Sequence, residues 1–208
     1  MDRFLAWLAP GTRWLLGLWV AGAVLRLVPG IGSWLALVAP AIWHGQIWRA
    51  VTYAFLPNSL GDFLLNGVAL ILLGTTLERR WSCRTLLVYS LFVVAATGLS
   101  MAAIQPASGM VWRGAGPLLF GFLAAWGRIC GHERICLGPS LELTAMTAAL
   151  VFGGVSLLLT AFMAGWMNAL FAALGAAWGL GYLWARSRMG EIAARPIAVS
   201  QRINRLEL

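Results

Sequence analysis

Long apolar runs alternate with short polar or arginine-containing segments along most of the chain. A helix rises 1.5 Å per residue, so about 20 apolar residues are needed to cross about 30 Å of hydrocarbon. The runs predict six membrane-spanning helices, at residues 14–32, 62–79, 85–104, 116–128, 143–163 and 165–185. The fourth run is short, and a helix of that length must be surrounded by other helices, with its outer end in a cavity.

The segments outside these runs predict connections and termini. Residues 33–60 are rich in Trp, Pro and Gly, which predicts a structured first outer loop with short interfacial helices. We therefore expect an all-α membrane protein in three parts, an N-terminal interfacial segment (1–13), a six-span domain (14–186) and a cytoplasmic basic tail (187–208). The tail is expected to lie on anionic lipid headgroups.

Composition supports a protein dissolved in lipid. Of 208 residues, 61% are hydrophobic and 11% are charged, which would leave a soluble globule with more apolar surface than it could bury. The net charge of +8 comes from fifteen arginines against seven acids, because the chain has no lysine. These arginines stand in short groups between apolar runs and form no continuous basic patch, so we expect the lipid bilayer as a partner and no nucleic acid.

Arginine placement also predicts the orientation. With the N-terminus in the cytoplasm, twelve arginines fall on that side and three, Arg26, Arg49 and Arg113, fall outside. Cytoplasmic loops of membrane proteins carry an excess of positive charge, so both termini are predicted to be cytoplasmic. The N-terminus lacks the pattern of a cleaved signal peptide. The predicted location is a bacterial inner membrane.

Cysteine usage gives no sign of a disulfide framework or a metal centre. Cys83, Cys130 and Cys136 are odd in number and fall in or beside predicted cytoplasmic loops. Together with His132 they could in principle form a tetrahedral zinc site. The spacing C-x-H-x-x-x-C lacks the usual paired-ligand form, so we expect reduced cysteines, no metal and no cofactor.

Four segments, taken in order, resemble the rhomboid family of intramembrane serine proteases: GQIWRAVTYAFLPNSLGDFLLN, LLGTTLERRW, GAGPLLFGFLAA and GAAWGLGYLWAR. The resemblance covers about residues 33–186 and implies a rhomboid-like six-helix bundle. Trp48-Arg49 match the family's Trp-Arg pair in the first outer loop. Glu78 begins a Glu-Arg-Arg sequence that matches the acidic-basic end of the family's second span.

The positions that the resemblance assigns to catalysis lack the required groups. The nucleophilic serine falls on Gly116, followed by Pro117, which suits the first turn of a helix. The histidine base of the sixth span falls most naturally on Asn168, and neither His44 nor His132 lies in that span. A hydroxyl without a base is a poor nucleophile, and losing both partners removes most of the acceleration. The sequence therefore predicts no catalytic residue.

The polar residues of the resembling site form a second set of candidates. The family's His-x4-His-x3-Asn pattern falls on Pro57, Asp62 and Asn66, so only the asparagine is retained. Asp62 is expected either to face water or to pair with Arg113 or Arg49, since an unpaired charge in lipid is costly. Asn66 and Asp62, with Arg49 and Arg113, are therefore candidate oxyanion-like or client-contact residues.

These features favour a rhomboid-like pseudoprotease that binds or scaffolds transmembrane helices of client proteins without cleaving them, as the resemblance to derlins and inactive rhomboids implies. One alternative is an intramembrane serine-type endopeptidase with an unconventional site, for which Ser108 in the sequence PASGM is the candidate nucleophile. Another is an accessory subunit of a membrane complex. In each case Gly175 and Gly179 are expected to pack the sixth span against the fourth, although Phe171 replaces a glycine that the family pattern expects.

Overall fold

The computed structural model describes residues 8–138 and 141–188, and these are mostly helical. The α-helices are α1 (Pro10–Arg26), α2 (Ile31–Leu35), α3 (Ala39–Trp43), α4 (Arg49–Thr52), α5 (Leu60–Arg80), α6 (Cys83–Ile104), α7 (Gly116–Ile129), α8 (Ala145–Ala164) and α9 (Trp166–Arg188). A 3-10 turn, Tyr53–Phe55, follows α4, and strands β1 (Arg134–Gly138) and β2 (Leu141–Thr144) connect α7 to α8. Most of the predicted N-terminal segment and nearly all of the predicted tail lie outside the described residues.

Three of the described helices, α5, α6 and α8, are long and apolar enough to cross a membrane. Helix α7 is also apolar but has only 14 residues. Its bounds agree with the prediction of 116–128, and the bounds of α5, α6, α8 and α9 lie within three residues of their predictions. Length and hydropathy thus support three crossings, and the predicted count of six is not confirmed.

Helix α1 differs from its prediction at both ends, because a distant carboxylate determines where it begins and a local turn follows its last residue. The Glu78 carboxylate accepts hydrogen bonds from the amides of Gly11 and Thr12, each at 2.7 Å, and from the Thr12 hydroxyl at 2.8 Å. These bonds satisfy amides that a helix start leaves unpaired, so the helix begins at Pro10 instead of residue 14. It ends at Arg26 instead of residue 32, ahead of a turn in which Gly30 has φ 84°.

A β-hairpin stands where the all-α prediction expected a loop. Strands β1 and β2 are antiparallel, with Arg134 opposite Thr144 and Cys136 opposite Glu142. The sequences RICLG and LELT flank Pro-Ser, and short runs rich in apolar and β-branched residues around such a pair are typical of a hairpin. The prediction missed this signal because the runs are short and adjoin a long apolar helix.

Helix α7 is central, as expected, and contacts α5, α6, α8 and α9. Its closest packing is against α9, where a Cβ added to Gly175 would lie 2.1 Å from the Pro117 carbonyl oxygen. A Cβ on Gly179 would lie 2.3 Å from the Tyr89 hydroxyl, which donates to the Gly121 carbonyl at 2.6 Å. The prediction that Gly175 and Gly179 pack the last helix against the short one is therefore confirmed.

The first loop fixes the start of α7. Leu37 and Trp112 exchange two backbone hydrogen bonds of 3.0 and 2.9 Å, and the Gly114 amide donates to the Tyr53 carbonyl at 3.0 Å. The Phe171 ring lies 5.2 Å from the Tyr53 ring and 5.3 Å from the Trp112 ring, measured between centroids. Phe171, which departs from the expected glycine, thus joins α9 to the loop through aromatic contacts.

Candidate functional site

A cavity of about 540 Å³ opens at the end of the bundle where α5, α7 and α9 begin. We call this the Asp62 end, and the opposite end, where α5 finishes, the Glu78 end. Five residues that the sequence analysis singled out line this cavity together: Asp62, Asn66, Arg113, Gly116 and Asn168. The candidate site is therefore one space between helices, and it is formed by residues separated by up to about a hundred positions in the chain.

Asp62 is held by its own neighbours. Its Oδ2 accepts the Asn58 amide at 2.7 Å, and its Oδ1 accepts the side-chain amide of Asn66, one helical turn further along α5. Its own amide donates to the hydroxyl of Ser59, the residue that caps α5, at 3.1 Å. An acid in the first turn also suits the positive end of the helix dipole. Asp62 therefore belongs to the cap of α5.

Asp62 was expected either to face water or to pair with an arginine, and in the part of the chain that the structure describes it is partly exposed and has no arginine partner. Its carboxylate partners are Asn58 and Asn66. Arg113 lines the same cavity, and its Nε is buried without a hydrogen-bond partner among the described residues. Its carbonyl accepts the Asn58 side-chain amide at 3.2 Å, which holds the backbone before α7 against the start of α5. A positive and a negative side chain thus share one cavity without an ion pair.

Arg49 lies apart from this cavity. It is buried, and its Nη1 donates to the carbonyls of Ser33 and Ala36, each at 2.7 Å, while its Nε donates to Gln46 Oε1 at 2.6 Å. Burial lowers the pKa of its guanidinium. These bonds join α2, α4 and the segment between them, so Arg49 is occupied by the first loop and is separated from the other predicted contact residues.

Gly116 and Asn168 stand at the starts of their helices. Gly116 is the first residue of α7, and a Cβ placed there would meet nothing within 4 Å. Asn168 lies in the first turn of α9, and its side-chain amide donates to the Ala164 carbonyl at 2.6 Å. The position that resembles the nucleophile therefore has room for a side chain and lacks one.

The cavity wall holds hydroxyl groups that sequence reasoning missed. Ser156 and Thr160 lie four residues apart on α8 and both line the cavity. Thr160 donates its hydroxyl to the Ser156 carbonyl at 2.8 Å. The sequence does carry a signal for these two residues, because two hydroxyl side chains four positions apart lie on the same face of a mostly apolar helix. Neither histidine of the chain, His44 or His132, lines this cavity, so its lining pairs no hydroxyl with an imidazole.

Ser108 and the cysteines lie outside the cavity. Ser108 follows α6, and its hydroxyl oxygen accepts the Met110 amide at 3.1 Å. At the Glu78 end, Cys130 is buried, and burial raises the pKa of its thiol. Among the described residues, no three His, Cys, Asp or Glu side chains are grouped as metal ligands, and the Cys136 side chain is outside the described set. Among the described side chains, Cys83 and Cys130 are free cysteines.

Comparison with known families identifies an integral membrane protein. The profile of a family described as "Eukaryotic integral membrane protein (DUF1751)" matches residues 13–187. No curated protein matches the chain. The family description overturns the predicted bacterial origin and inner-membrane location, because the family is eukaryotic. The prediction failed because an arginine excess and apolar runs report on a membrane and its cytoplasmic face, without distinguishing one cell type from another.

Proposed function

The chain belongs to the eukaryotic integral membrane protein family that matches it over residues 13–187, and from this premise we propose that it is a rhomboid-like pseudoprotease. In this proposal the protein binds or scaffolds transmembrane segments of other proteins without cutting them. The observation that carries the proposal is the cavity at the Asp62 end. Its wall combines the polar groups expected of a rhomboid-like site with glycine at the nucleophile position and asparagine at the base position.

The chemistry of the lining argues against peptide-bond cleavage. Hydrolysis through a serine needs a hydroxyl and a base within hydrogen-bond reach of each other. The lining hydroxyls, Ser156 and Thr160, have no histidine beside them, and Thr160 is bonded to its own helix. Ser108 is outside the cavity and accepts a bond within its own turn. The endopeptidase alternative therefore lacks a nucleophile-base pair in the described residues.

The cavity is suited to contact another helix. It lies between α5, α7, α8 and α9, and it passes from polar groups at Asp62 and Arg113 to apolar ones such as Leu73 and Leu123. In a bilayer, polar groups and irregular backbone of a client segment need partners that lipid cannot supply. A polar mouth above an apolar base provides such partners while the remainder of the client helix stays in lipid.

We also propose six crossings, with both ends of the chain on the cytoplasmic face. The contacts of the first two long helices support this proposal: α1 begins beside Glu78 and ends with Arg26 bonded to the Pro57 carbonyl, whereas α5 begins just after Pro57 and ends beside Glu78. Arg26, Arg49 and Arg113 lie towards the Asp62 end, whereas the other described arginines lie towards the Glu78 end. This distribution supports a cytoplasmic Glu78 end. Modification of single cysteines introduced at the exposed positions His44 and His132, in a variant without Cys83, Cys130 and Cys136, tests the assignment when it is measured in intact and permeabilised cells.

A photoreactive side chain at Gly116 tests client binding. The open space there admits the probe without repacking. Under the proposal, irradiation in living membranes captures intact transmembrane segments of specific proteins. A probe at Gly181, which also has open space but lies outside the cavity, is the matched control. Capture of the same proteins at both positions, or of lipid alone at Gly116, contradicts client binding through this cavity.

Proteolysis is tested separately with the pure protein and a membrane-embedded substrate whose helix carries polar residues. We expect no cleavage products at any enzyme concentration. Products that persist in the purified protein and disappear in Ser156→Ala, Thr160→Val or Ser108→Ala would assign a hydrolytic activity to that hydroxyl and overturn the pseudoprotease proposal.

A further inference from the structure

The cavity mouth holds two opposite charges that are not paired with each other. Asp62 accepts two hydrogen bonds, from Asn58 and Asn66, although a carboxylate has about four lone-pair sites. Arg113 has five N–H donors, and its Nε is buried without a partner among the described residues. Ionisable groups inside a membrane protein are costly unless partnered, so their retention in a cavity indicates a ligand-binding role.

The positive half of this mouth extends beyond Arg113. Helix α7 has 14 residues and begins at Gly116, so the partial positive charge of its N-terminus and the Arg113 side chain both lie on the cavity wall. The negative half is the Asp62 carboxylate, whose Oδ2 lies 3.7 Å from the place that a Cβ added to Gly114, the residue after Arg113, would occupy. The two opposite charges therefore line one opening.

Below the charges most of the lining is apolar, and the hydroxyl-bearing residues Ser156 and Thr160 of α8 are the exceptions. Leu73, Leu119 and Leu123 line the cavity, and Leu73 lies roughly 16 Å along α5 from Asp62 at 1.5 Å per residue. That distance is about half the thickness of the hydrocarbon core. The space thus has polar partners at the level of lipid headgroups and apolar partners at the level of acyl chains.

We propose that this cavity binds a phospholipid with a zwitterionic headgroup that ends in a primary ammonium. Its phosphate lies on Arg113 and the start of α7, its ammonium donates to Asp62, and one acyl chain follows the leucines below. A purely anionic headgroup is repelled by Asp62, and a purely cationic ligand is repelled by Arg113. An uncharged apolar molecule would desolvate both charges without replacing their hydrogen bonds. Only a ligand with both charges satisfies both walls.

This inference concerns the same cavity as client binding but does not rest on it, since the lipid site needs no partner protein. Native mass spectrometry of the purified full-length protein in mild detergent measures it directly. The protein is offered equimolar phosphatidylethanolamine, phosphatidylcholine and phosphatidylglycerol with identical acyl chains. We expect phosphatidylethanolamine to be retained most, because choline has the charge without N–H donors and phosphatidylglycerol has no cation.

Two charge-removing variants assign the headgroup contacts. Asp62→Asn should lower the preference for phosphatidylethanolamine over phosphatidylglycerol by about fivefold, the effect of one charge near a membrane surface. Arg113→Gln should weaken all three lipids by a similar factor. Glu133→Gln and Arg84→Gln, at the Glu78 end, are the matched controls and should leave the preference unchanged. Thermal unfolding of each variant separates loss of the site from loss of the fold.

Location and ligand identity need their own measurement. A phosphatidylethanolamine with a photoreactive acyl chain should label residues 119–123 of α7, and Gly116→Trp, which fills the open space, should prevent this labelling. Soluble glycerophosphoethanolamine should not compete, because it lacks the acyl contacts. The proposal is overturned if phosphatidylglycerol binds as well as phosphatidylethanolamine, or if Asp62→Asn leaves the preference between these lipids unchanged. Full competition by the soluble headgroup, or labelling confined to lipid-facing helix surfaces, would also overturn it.

Discussion

Helix α5 carries an acid near each end, and the two acids are used differently. Glu78 is 5% exposed and accepts three hydrogen bonds of 2.7–2.8 Å from α1, a helix 66 or 67 residues earlier in the chain. Asp62 is partly exposed, and both of its partners lie within four residues of it. The Glu78 carboxylate therefore joins two helices, whereas Asp62 only caps its own helix and remains at a cavity.

Two glycines differ in the same way, since one lies in a helix-packing contact and the other lies at the cavity. Gly175 touches the backbone of α7 so closely that no side chain fits, whereas Gly116 faces open space. The comparison indicates that stability depends on the α7–α9 contact and on the Glu78 carboxylate, whereas the side chain of Asp62 and the open space at Gly116 can change at little cost to the fold. Four substitutions test this division, each with a matched partner.

Gly175→Ala should have the largest effect. Its new Cβ would lie 2.1 Å from the Pro117 carbonyl oxygen, and backbone cannot move aside as a side chain can. We expect a loss of more than about 3 kcal/mol of unfolding free energy, the upper range for overpacking. The fraction of monodisperse protein in mild detergent and the unfolding midpoint measure it. Gly181→Ala, on the same helix in open space, should be neutral or slightly stabilising, and equal behaviour of the two variants would refute the packing argument.

Glu78→Ala should come next. It leaves two amides and a hydroxyl of α1 without their acceptor. One hydrogen bond to a charged group contributes about 1.5–3 kcal/mol, and the total loss is smaller than the sum of three because the substitution also removes the cost of burying the carboxylate. We expect a loss of about 3 kcal/mol, with α1 released first in hydrogen exchange. Glu133→Ala removes an acid whose ion pair with Arg80 is half exposed, and it should cost less than about 1 kcal/mol. Uniform exchange in both variants would contradict the role of Glu78 as the cap of α1.

Substitutions of two arginines, Arg49 and Arg113, should differ from each other in their effect on stability, and the larger effect should be intermediate in this series. Arg49→Gln breaks bonds to the carbonyls of Ser33 and Ala36, so we expect a loss of about 2 kcal/mol and faster proteolysis of the first loop. Arg113→Gln removes a charge with no such bonds and should change stability by less than about 0.5 kcal/mol. Limited proteolysis in detergent distinguishes the two. Greater loss from Arg113→Gln would place that residue among the structural contacts.

Asp62→Asn should have the smallest effect on stability. Asparagine occupies the same volume and keeps one oxygen for the Asn58 amide, and its new amide donates to the Asn66 oxygen once the Asn66 side chain flips, so the main loss is the charge contribution to the helix start, about 0.5 kcal/mol. Crosslinking from a probe at Gly116 should nevertheless change its set of products, because the mouth of the cavity has lost its negative charge. A destabilisation comparable to that of Glu78→Ala would erase the distinction between the two acids.

Most helices could be predicted from the sequence because their signals are local. Apolar runs, Pro117 at the start of α7 and the glycines of α9 determine bounds and packing faces by themselves. The structure departs from the prediction where a residue distant in the sequence determines the local structure. The Glu78 carboxylate, 67 residues beyond Gly11, determines where α1 begins. The Arg49 side chain donates to backbone carbonyls of the first loop, and a pattern of side-chain types does not reveal backbone acceptors.

The candidate site was predicted in part for the same reason. Asp62, Asn66, Gly116 and Asn168 were found through a resemblance between motifs and Arg113 through its predicted place before the fourth span, and the fold does bring them together. Ser156 and Thr160 were missed because no motif marks them. The absence of an Asp62–Arg113 pair was also beyond the sequence, since backbone geometry at Asn58 supplies the partner that an arginine was expected to provide.

The empty space at Gly116 has an evolutionary consequence. A single-base change can turn a glycine codon into a serine codon, and the added hydroxymethyl group would fit there without disturbing its neighbours. That serine would still face Asn168 and no imidazole, so the first mutational step brings no hydrolysis for selection to favour. Under the proposed function, the fold can accommodate a serine at this position, but a serine without a histidine gives no hydrolysis on which selection could act.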